Sequence, residues 1–434
     1  MVRRTYLVTD CSVTNYRSLI VQPNKTQLNM PQTKETPMKQ SRIRFIAPLA
    51  VVTALVLVGC STSNLGGSTD SDPTGAAETG PIKIGAVLDI TGGGANLGVP
   101  QQNTLTMLAA ALNENGGIDG REVELTIVDN QSTEDGAAKA ATKLIESDDV
   151  DLILGASRTG PSLAMRSIAE AAEIPMISLA ANAAIITDSK WVFKTPQNDV
   201  VVLETILDDA ESKGYKKLAL VRDASGFGEG VADYITDLGA DRGITLEMTE
   251  SFELTATDFT PQMTNVRASD ADAVIIWGIN PAAGLAQKAY GQLAVDKPVY
   301  QSHGVASPAF FEAAGDAADG VIIPNGRLLI ASELDAADPQ RKVIDAFEAD
   351  YSAAYGTPAS SFAGYAYDAW NIAVNALAEA GTDSEALRDA IEGTTDLVGV
   401  SGVYNMTADD HSGLDASSLI LAEAQGGVWS LYKD

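Results

Sequence analysis

The chain has 434 residues, of which 58 are acidic and 29 basic, and its net charge is −29 at pH 7. This acidic balance argues against nucleic acid or an anionic membrane surface as a partner, and it favours solubility in a salty environment. The length allows two domains. The two histidines, His303 and His411, are far apart in sequence, which argues against a histidine-based metal site; we expect neither a metal nor a cofactor.

An apolar segment near the N-terminus has the pattern of an export signal. Residues 38–44 are basic, residues 45–58 are uncharged and mostly apolar, and the run closes with Leu57-Val-Gly-Cys60. Fourteen helical residues reach about 21 Å, short of the roughly 30 Å of bilayer hydrocarbon, which favours a secretory signal over a membrane-spanning helix. The ending resembles the bacterial lipobox, in which a peptidase cuts before a lipid-modified cysteine. The alternative is that Cys60 is an ordinary buried thiol.

Three N-terminal segments follow from this interpretation. Residues 1–37 form an upstream extension from a mis-called start, residues 38–59 form a lipoprotein signal peptide, and residues 60–80, rich in Ser, Gly and Thr, form a flexible tether. Residues 1–59 carry eight basic and two acidic side chains, so their removal leaves 375 residues with a net charge of −35. Cys60 is then the only cysteine, and no internal disulfide forms.

From residue 82 onward, short apolar runs alternate with segments of helical period, the pattern of parallel sheets covered by helices. The first series predicts strands at 82–88, 122–129, 151–155 and 174–178, with helices at 101–115, 133–146 and 161–172. The second predicts strands at 217–222, 245–252, 273–277, 298–301 and 321–324, with helices at 200–213, 228–239, 260–268 and 282–293. Helices at 340–355, 362–380 and 384–392 precede a C-terminal β-meander at 402–431. We predict an α/β fold of two doubly wound lobes, with ligand sites at the carboxyl ends of the strands.

Two glycine-containing segments were compared with enzyme motifs. Thr91-Gly-Gly-Gly-Ala-Asn-Leu-Gly98 follows the first strand, but Leu97 stands where the dinucleotide fingerprint needs its last glycine, and the sequence contains no P-loop motif. Gly155-Ala-Ser-Arg-Thr-Gly160 misses the nucleophile elbow because Thr159 stands in place of its second glycine. With two histidines as candidate bases, a serine hydrolase is not indicated either. We therefore predict no enzymatic activity and no catalytic residues.

The second of these segments has the pattern of a binding loop. A strand ends at Gly155, a helix opens near Pro161, and the turn between them carries Ser157, Arg158, Thr159 and Gly160. Backbone N–H groups at a helix start, together with a hydroxyl, suit a carboxylate. The alternative is ordinary helix capping by Ser or Thr.

A set of motifs in fixed order resembles the leucine/isoleucine/valine-binding family of type I periplasmic binding proteins. It covers residues 81–434 and consists of Ile82-Lys-Ile-Gly-Ala-Val-Leu88, Asn115-Gly-Gly-Ile-Asp-Gly-Arg-Glu-Val-Glu124, Gly155-Ala-Ser-Arg-Thr-Gly160, Pro175-Met-Ile-Ser178, Gly226-Phe-Gly-Glu-Gly230, Phe259, Gly304-Val-Ala306 and Tyr365-Ala-Tyr-Asp-Ala369. The resemblance implies two lobes, residues 81–196 with 326–400 and residues 197–325 with 401–434. It also implies three crossings, near 194–197, 324–326 and 400–402, and a ligand held in a cleft that closes.

The resemblance also implies a set of ligand-binding residues. The Thr159 hydroxyl and the Gly160 N–H would take a ligand carboxylate, while the Ala180 carbonyl and the Asn182 side chain would take an α-ammonium. Arg158, on the same loop, either pairs with the carboxylate or is a solvated surface residue.

Three positions, Leu97, Ile279 and His303, depart from the family pattern. Leu97 and Ile279 stand where many members have an aromatic residue, and Phe227 belongs to the motif in the second lobe. His303 occupies the position at which amino-acid binders have an acid, and a buried ammonium needs such a partner. The resemblance therefore leaves two ligands open, an amino acid and a carboxylate without an ammonium, for which a partly protonated His303 would be favourable. An amino acid would be accommodated if Asp89 or Asp223 supplied the missing charge, or if Asn182 and the Ala180 carbonyl sufficed.

These inferences lead to one functional expectation. The chain is expected to be a monomeric substrate-binding lipoprotein on the extracytoplasmic face of the cell membrane, delivering a small carboxylate-bearing ligand to ABC permease subunits, with no nucleic-acid partner. The alternative is a ligand-sensing receptor without a transport partner. Adjacent permease and ATPase genes would separate the two.

Overall fold

The computed structural model describes residues Gly80–Lys433. The predicted extension, signal peptide and lipidated Cys60, and all of the tether except Gly80, lie outside the described residues. The predicted α/β fold class is confirmed: the described chain forms two large sheets, each with helices on both faces, and one short two-stranded ribbon.

The first sheet has five parallel strands in the order β2-β1-β3-β4-β5. Its strands are β1 (Ile82–Leu88), β2 (Val123–Asp129), β3 (Leu152–Gly155), β4 (Met176–Ser178) and β5 (Val192–Lys194). The helices that follow the first three are α1 (Ala95–Glu114), α2 (Glu134–Glu146) and α3 (Thr159–Ala172). Alternate residues of β1 face opposite cores: Ile84, Ala86 and Leu88 pack on the side of α1, and Val87 packs on the side of α2 and α3.

The second sheet repeats this strand order and adds an antiparallel edge, giving β14-β13-β10-β9-β8-β6-β7. Its strands are β6 (Lys217–Asp223), β7 (Thr245–Phe252), β8 (Ala273–Trp277), β9 (Val299–Gln301), β10 (Ile322–Asn325), β13 (Ile420–Gln425) and β14 (Val428–Leu431). Its helices are α4 (Asp199–Ser212), α5 (Val231–Ala240), α6 (Thr260–Ala268), α7 (Ala282–Gln292) and α8 (Pro308–Ala314). The last two strands form a hairpin over Gly426-Gly427, both at positive φ, as a two-residue turn requires.

Three further helices return to the first sheet. They are α9 (Arg341–Tyr355), α10 (Ser361–Ala380) and α11 (Ser384–Glu392), and a short ribbon of β11 (Leu397–Val398) and β12 (Val403–Tyr404) follows. The segment after this ribbon differs from the predicted boundary at 400/401. Tyr404, Met406 and Leu414 are buried in the core of the first sheet, so the chain returns to the second sheet only after Leu414. The β-meander predicted at 402–431 is correspondingly reduced to the β13–β14 hairpin.

The segments that join the two sheets are held together by buried hydrogen bonds. The Thr195 hydroxyl donates to the Tyr365 carbonyl at 2.9 Å, and the Tyr404 hydroxyl donates to the Thr195 carbonyl at 2.8 Å. The Gln197 side-chain amide donates to the Ser401 carbonyl at 2.7 Å. Residues more than 150 positions apart are thereby fixed at the junction, which places the carboxyl ends of both sheets opposite each other.

Candidate ligand-binding site

A cavity of about 870 Å³ lies between the two sheets. Its wall is formed by the segments that follow each of the strands β2 to β9 and by the starts of α1 and α10. Ligand sites of doubly wound proteins lie at the carboxyl ends of strands, because the loops there are free to vary while the sheet stays rigid. Eight of the nine predicted binding residues line this cavity, and Asn182 does not.

The β3–α3 loop places a hydroxyl and helix-start N–H groups at the cavity wall. Thr159, only 2% exposed, is the first residue of α3, and its Oγ1 is buried without a hydrogen-bond partner among the described residues. The first intrahelical bond of α3 runs from Ser162 N–H to the Arg158 carbonyl, so the Thr159 and Gly160 N–H groups precede it. The cap position is Arg158 and has no side-chain capping bond. Helix capping therefore does not explain the Thr159 hydroxyl.

Arg158 is not a solvated surface residue, and its hydrogen bonds within the protein leave it unavailable for a bidentate pair with a ligand carboxylate. Its Nε donates to Asp89, a buried carboxylate, and its Nη2 donates to the Ser132 carbonyl at 2.5 Å. Asp89 also accepts from the Asn130 side chain at 2.6 Å, and its own N–H donates to Ser157 Oγ. Arg158 thus ties together the loops that follow β1, β2 and β3.

Apolar residues from both sides of the cavity meet in one cluster. Leu97 and Ala181 come from the first-sheet side, and Phe227, Ile279 and Tyr365 pack in the same cluster as these two. At the edge of the cavity, a Cβ built on Gly226 would lie 3.3 Å from Thr159 Cγ2, so the loop after β6 faces the start of α3 closely. The predicted positions of Leu97, Phe227 and Ile279 at the cavity wall agree with this arrangement.

His303 is an electrically neutral residue of the cavity wall. It lies after β9, is 2% exposed, and packs edge-on against Phe227 and Trp277 with ring centroids 5.5 and 5.8 Å away. Burial, assisted by the nearby cation Lys194, lowers the pKa of His303 to about 3. The expectation of a partly protonated His303 near neutral pH was therefore wrong, because burial disfavours the charged form. Neither ring nitrogen has a hydrogen-bond partner among the described residues.

Asn182 does not take the place expected for it. Its Nδ2 donates to the Gly226 carbonyl at 3.1 Å, and its Oδ1 accepts from the Ala184 N–H at 2.9 Å, capping the short 3₁₀ turn Ala183–Ile185. The side chain joins the β4 loop of the first lobe to the β6 loop of the second, outside the cavity lining. Ala180 does line the cavity.

The two acids considered as substitutes for an ammonium partner are engaged elsewhere. Asp89 pairs with Arg158, and Asp223 accepts from the N–H groups of Ser225 and Gly228 and from the Ser225 hydroxyl. Burial raises the pKa of Asp223, which disfavours its charged form further. The carboxylates that do line the cavity belong to three exposed residues, Glu134, Asp135 and Glu229, and a Cβ built on Gly160 would lie 2.5 Å from Glu134 Oε1.

Tyr365 lines the cavity but was not among the predicted binding residues. It lies one turn into α10, is 3% exposed, and its buried hydroxyl lies beside the side chain of Asn325. Burial raises its pKa, partly opposed by the neighbouring Asn325. Its motif, Tyr365-Ala-Tyr-Asp-Ala369, had entered only as part of a family pattern. A signal was present, since the motif begins a helix after Ser360, whose side chain caps α10.

Two further features of the described residues concern a metal site and a membrane-spanning helix. Between Gly80 and Lys433, no group of three or more His, Cys, Asp or Glu side chains is arranged to hold a metal ion. None of the helices in the same range is both long and apolar enough to span a bilayer.

Comparisons with known proteins agree with this architecture. The model of the family described as periplasmic binding protein matches residues 81–427. A leucine-, isoleucine-, valine-, threonine- and alanine-binding protein of Pseudomonas aeruginosa is 27% identical over 327 residues, 74% of this chain and 84% of that protein. An extracellular ligand-binding receptor from Rhodopseudomonas palustris HaA2 is 31% identical, with a TM-score of 0.77, covering 82% of this chain and all of that one.

A third similar structure contains a ligand. It is the branched-chain amino acid transporter substrate-binding protein LivJ from Streptococcus pneumoniae in complex with isoleucine, which is 25% identical, with a TM-score of 0.73, covering 82% of this chain and all of that one. The family match spans both sheets and the cavity between them. The resemblance drawn from the ordered motifs is confirmed, and the chain belongs to the periplasmic binding protein family.

Proposed function

We propose that this chain is the extracytoplasmic substrate-binding lipoprotein of an ABC importer and captures a small carboxylate-bearing ligand between two closing lobes. One observation carries the ligand class: the buried, unpartnered Thr159 hydroxyl beside the first N–H groups of α3. A buried polar group without a partner costs about 1–3 kcal/mol, and a carboxylate oxygen would accept from the hydroxyl and the helix-start N–H groups together.

Two observations bear on which carboxylate is bound, and they favour different ligands. The names of the Pseudomonas aeruginosa and Streptococcus pneumoniae proteins favour a small aliphatic amino acid. The neutral His303 and the aliphatic Ile279 favour a ligand without an ammonium, because neither side chain offers a charge partner.

The ligand class is tested by a thermal-shift panel of amino acids and simple carboxylates, followed by calorimetry on the strongest binder. Thr159→Val should weaken that binding about 10- to 150-fold, because it keeps the shape and removes a hydrogen bond to a charged group. Thr159→Ser, which keeps the hydroxyl, is the matched control. Affinity of Thr159→Val within about twofold of wild type would count against a carboxylate at this loop.

The anchor and the transport partner are part of the same proposal. Cleavage before Cys60 and lipidation of its thiol would hold the protein at the membrane through the 60–80 tether. Intact mass of the membrane-associated protein should show a diacylglyceryl-modified Cys60, and Cys60→Ala should move to the soluble fraction. Membrane association unchanged by Cys60→Ala would contradict the anchor.

The importer role distinguishes this proposal from that of an enzyme or a free-standing receptor. Deleting the gene should abolish high-affinity uptake of the bound ligand. Ligand recovered from the protein after binding should be chemically unaltered, whereas an enzyme would convert it. A deletion strain with normal uptake but a lost response to the ligand would favour the receptor instead.

A further inference from the structure

The loops that follow β1, β2 and β3 are joined by a closed ring of hydrogen bonds. Arg158 donates from Nε to Asp89 and from Nη2 to the Ser132 carbonyl at 2.5 Å. The Asn130 side chain donates to the other oxygen of Asp89 at 2.6 Å and accepts from the Ser132 N–H at 2.8 Å, which closes the ring. Arg158 and Ser132 line the cavity, and Asp89 is fully buried. The ring therefore fixes three loops relative to one another at the cavity wall.

The cap position of α3 lacks the side-chain bond that usually fixes the start of a helix. A Ser, Thr, Asp or Asn at this position would accept from the first N–H groups of the helix. Arg158 occupies it instead, in an extended conformation and without a capping bond, and its side chain belongs to the ring. The next two residues, Thr159 and Gly160, carry the hydroxyl and the N–H of the proposed carboxylate site. The ring thus takes the place of a cap and leaves those groups unpaired.

A glycine beside the ion pair of Arg158 and Asp89 belongs to the same arrangement. A Cβ built on Gly94 would clash with Asp89 Oδ2 and would lie 2.7 Å from Arg158 Nε. The φ of Gly94, −97°, is one that alanine adopts readily, so the need for glycine comes from this contact and not from the backbone. The neighbouring Gly93 has nothing within 4 Å of its Cβ position. Of the two adjacent glycines, Gly94 is therefore the one that the ion pair confines.

We propose that Arg158 is a positioning residue for ligand binding, which acts through Asp89 and Ser132 and makes no contact with the ligand carboxylate itself. Its bonds hold the first turn of α3 so that the Thr159 hydroxyl and the Gly160 N–H are both directed at the carboxylate. Binding groups need support of this kind, because a displacement of about 1 Å is enough to lose a hydrogen bond to a ligand. This inference rests on the proposed function, which supplies the carboxylate at the start of α3.

The two adjacent glycines give the first test. Isoleucine and its deaminated analogue 3-methylpentanoate serve as probes, because they represent the two carboxylates that the proposed function leaves open. In calorimetry on the mature protein, Gly94→Ala should weaken the tighter-binding probe at least about tenfold, since the added methyl group displaces the ion pair. Gly93→Ala, the matched control, should bind the same probe within about twofold of wild type.

A second test asks whether Arg158 acts through the position of Thr159. Arg158→Met is combined with Asp89→Asn, so that no buried charge loses its partner and Asn130 keeps an acceptor. In this paired variant, Thr159→Val should cost at least about fivefold less affinity for the probe than it costs in wild type, because the hydroxyl is already displaced. A general loss of stability would leave the cost of Thr159→Val unchanged.

Arg388→Met provides the matched control background for that comparison. The Arg388 side chain is 14% exposed, like that of Arg158, and donates to Glu392 on α11 at 2.9 Å, outside the cavity lining. In this background Thr159→Val should cost as much affinity as it does in wild type.

Hydrogen exchange tests the positioning without a bound probe. The Ser162 N–H makes the first intrahelical bond of α3, to the Arg158 carbonyl at 3.0 Å. Its exchange should be at least about tenfold faster in Gly94→Ala and in the paired variant than in wild type. The Val202 N–H, which bonds to the Asn198 carbonyl at the start of α4, is the internal control and should keep its wild-type rate.

Contrary results separate this inference from the proposed function. An unchanged cost of Thr159→Val in the paired variant, or equal affinities of Gly94→Ala and Gly93→Ala, overturns the positioning role and leaves the proposed function standing. Affinity lost in the paired variant with wild-type exchange at Ser162 would mean that Arg158 contacts the ligand, which also overturns it. Wild-type exchange at Ser162 in both variants overturns the inference whether or not a probe binds. Failure of every carboxylate in the wider thermal-shift panel removes the proposed function, and with it the inference.

Discussion

Gly155 ends β3 in a backbone conformation that glycine alone adopts readily, with φ at +116°. A Cβ at this position would lie 2.1 Å from the Val87 carbonyl oxygen of the neighbouring strand. The close approach of β1 and β3 directs the following residues, Ser157 to Gly160, into the cavity. The binding loop therefore depends on this glycine at its base.

We predict that Gly155→Ala lowers the free energy of unfolding by about 2–5 kcal/mol, since it adds both a strained φ and a backbone clash. Gly93→Ala is the control, because a Cβ there would meet nothing within 4 Å. Chemical denaturation of the two variants measures the difference. Equal stability of both would contradict the role given to Gly155.

His303 gives a second prediction at the scale of one residue. Its pKa of about 3 lies below the ordinary value of 6.5, so the unfolded chain binds its proton more readily than the folded chain. The stability that this group contributes is present above about pH 6.5 and is lost as the pH falls towards 3, at about 1.4 kcal/mol per pKa unit. His303→Phe should therefore lose less stability than wild type over that range.

Proton NMR tests the same prediction directly. The chain has two histidines, so spectra of untagged wild type and His303→Phe assign the ring signals without ambiguity. The His303 signal should not titrate between about pH 5 and 8. A midpoint within that range would show that the ring is hydrated and accessible.

At the scale of elements, the turn that follows β4 in the first lobe makes a hydrogen bond to the second lobe. Asn182 donates to the Gly226 carbonyl across the cleft while capping its own turn. We expect the bond to break if the lobes separate. Because it lies outside the cavity lining, we expect it to affect ligand release without contacting the ligand.

Asn182→Ser should raise the dissociation rate of the ligand about 2- to 10-fold, as expected for the loss of one hydrogen bond, and should leave the association rate nearly unchanged. Serine keeps a short acceptor for the Ala184 N–H, so the turn remains capped. Stopped-flow kinetics measures both rates. An unchanged dissociation rate would mean that the bond plays no part in holding the lobes together.

At the scale of the whole molecule, the fold combines two rigid sheets with three connecting segments between them. Each sheet has its own buried core, and the two sides are joined by a few hydrogen bonds such as Gln197 to Ser401 and by the apolar cluster at the cavity. Such an arrangement permits hinge closure, because the φ/ψ changes are confined to a few residues. The cavity between the sheets is where closure would take effect.

Ligand should therefore decrease the radius of gyration in solution scattering, by shifting the population towards closed molecules. Thr159→Val at the same ligand concentration, below its own dissociation constant, should show no decrease. No change in wild type at saturating ligand would contradict a closing mechanism.

Most strands and helices, though not the three-residue strand β5, could be predicted from local sequence, because buried parallel strands are continuous apolar runs and helices repeat with their own period. The start of α1 could not. The pattern predicts a helix from residue 101, yet the helix begins at Ala95. Gly98 is a helical residue whose missing Cβ lets the helix pack against the Asp89 backbone, where a Cβ would lie 2.3 Å from a carbonyl oxygen. That requirement arises only when the two segments are packed together.

The candidate site also has features that the sequence predicts and features that only the tertiary structure determines. The sequence by itself determined the two α/β series, the loop that carries Thr159 and Gly160, and the segments whose strand ends surround the cavity, since these follow from local pattern and strand polarity. The tertiary structure decided that Asn182 bonds across the cleft, that residues up to Leu414 belong with the first sheet, and that His303 is neutral beside Phe227. It also brought Tyr365 of α10 to the same cavity wall as Thr159. Burial, pKa and hydrogen-bond partners depend on contacts between residues distant in sequence, and no local pattern contains them.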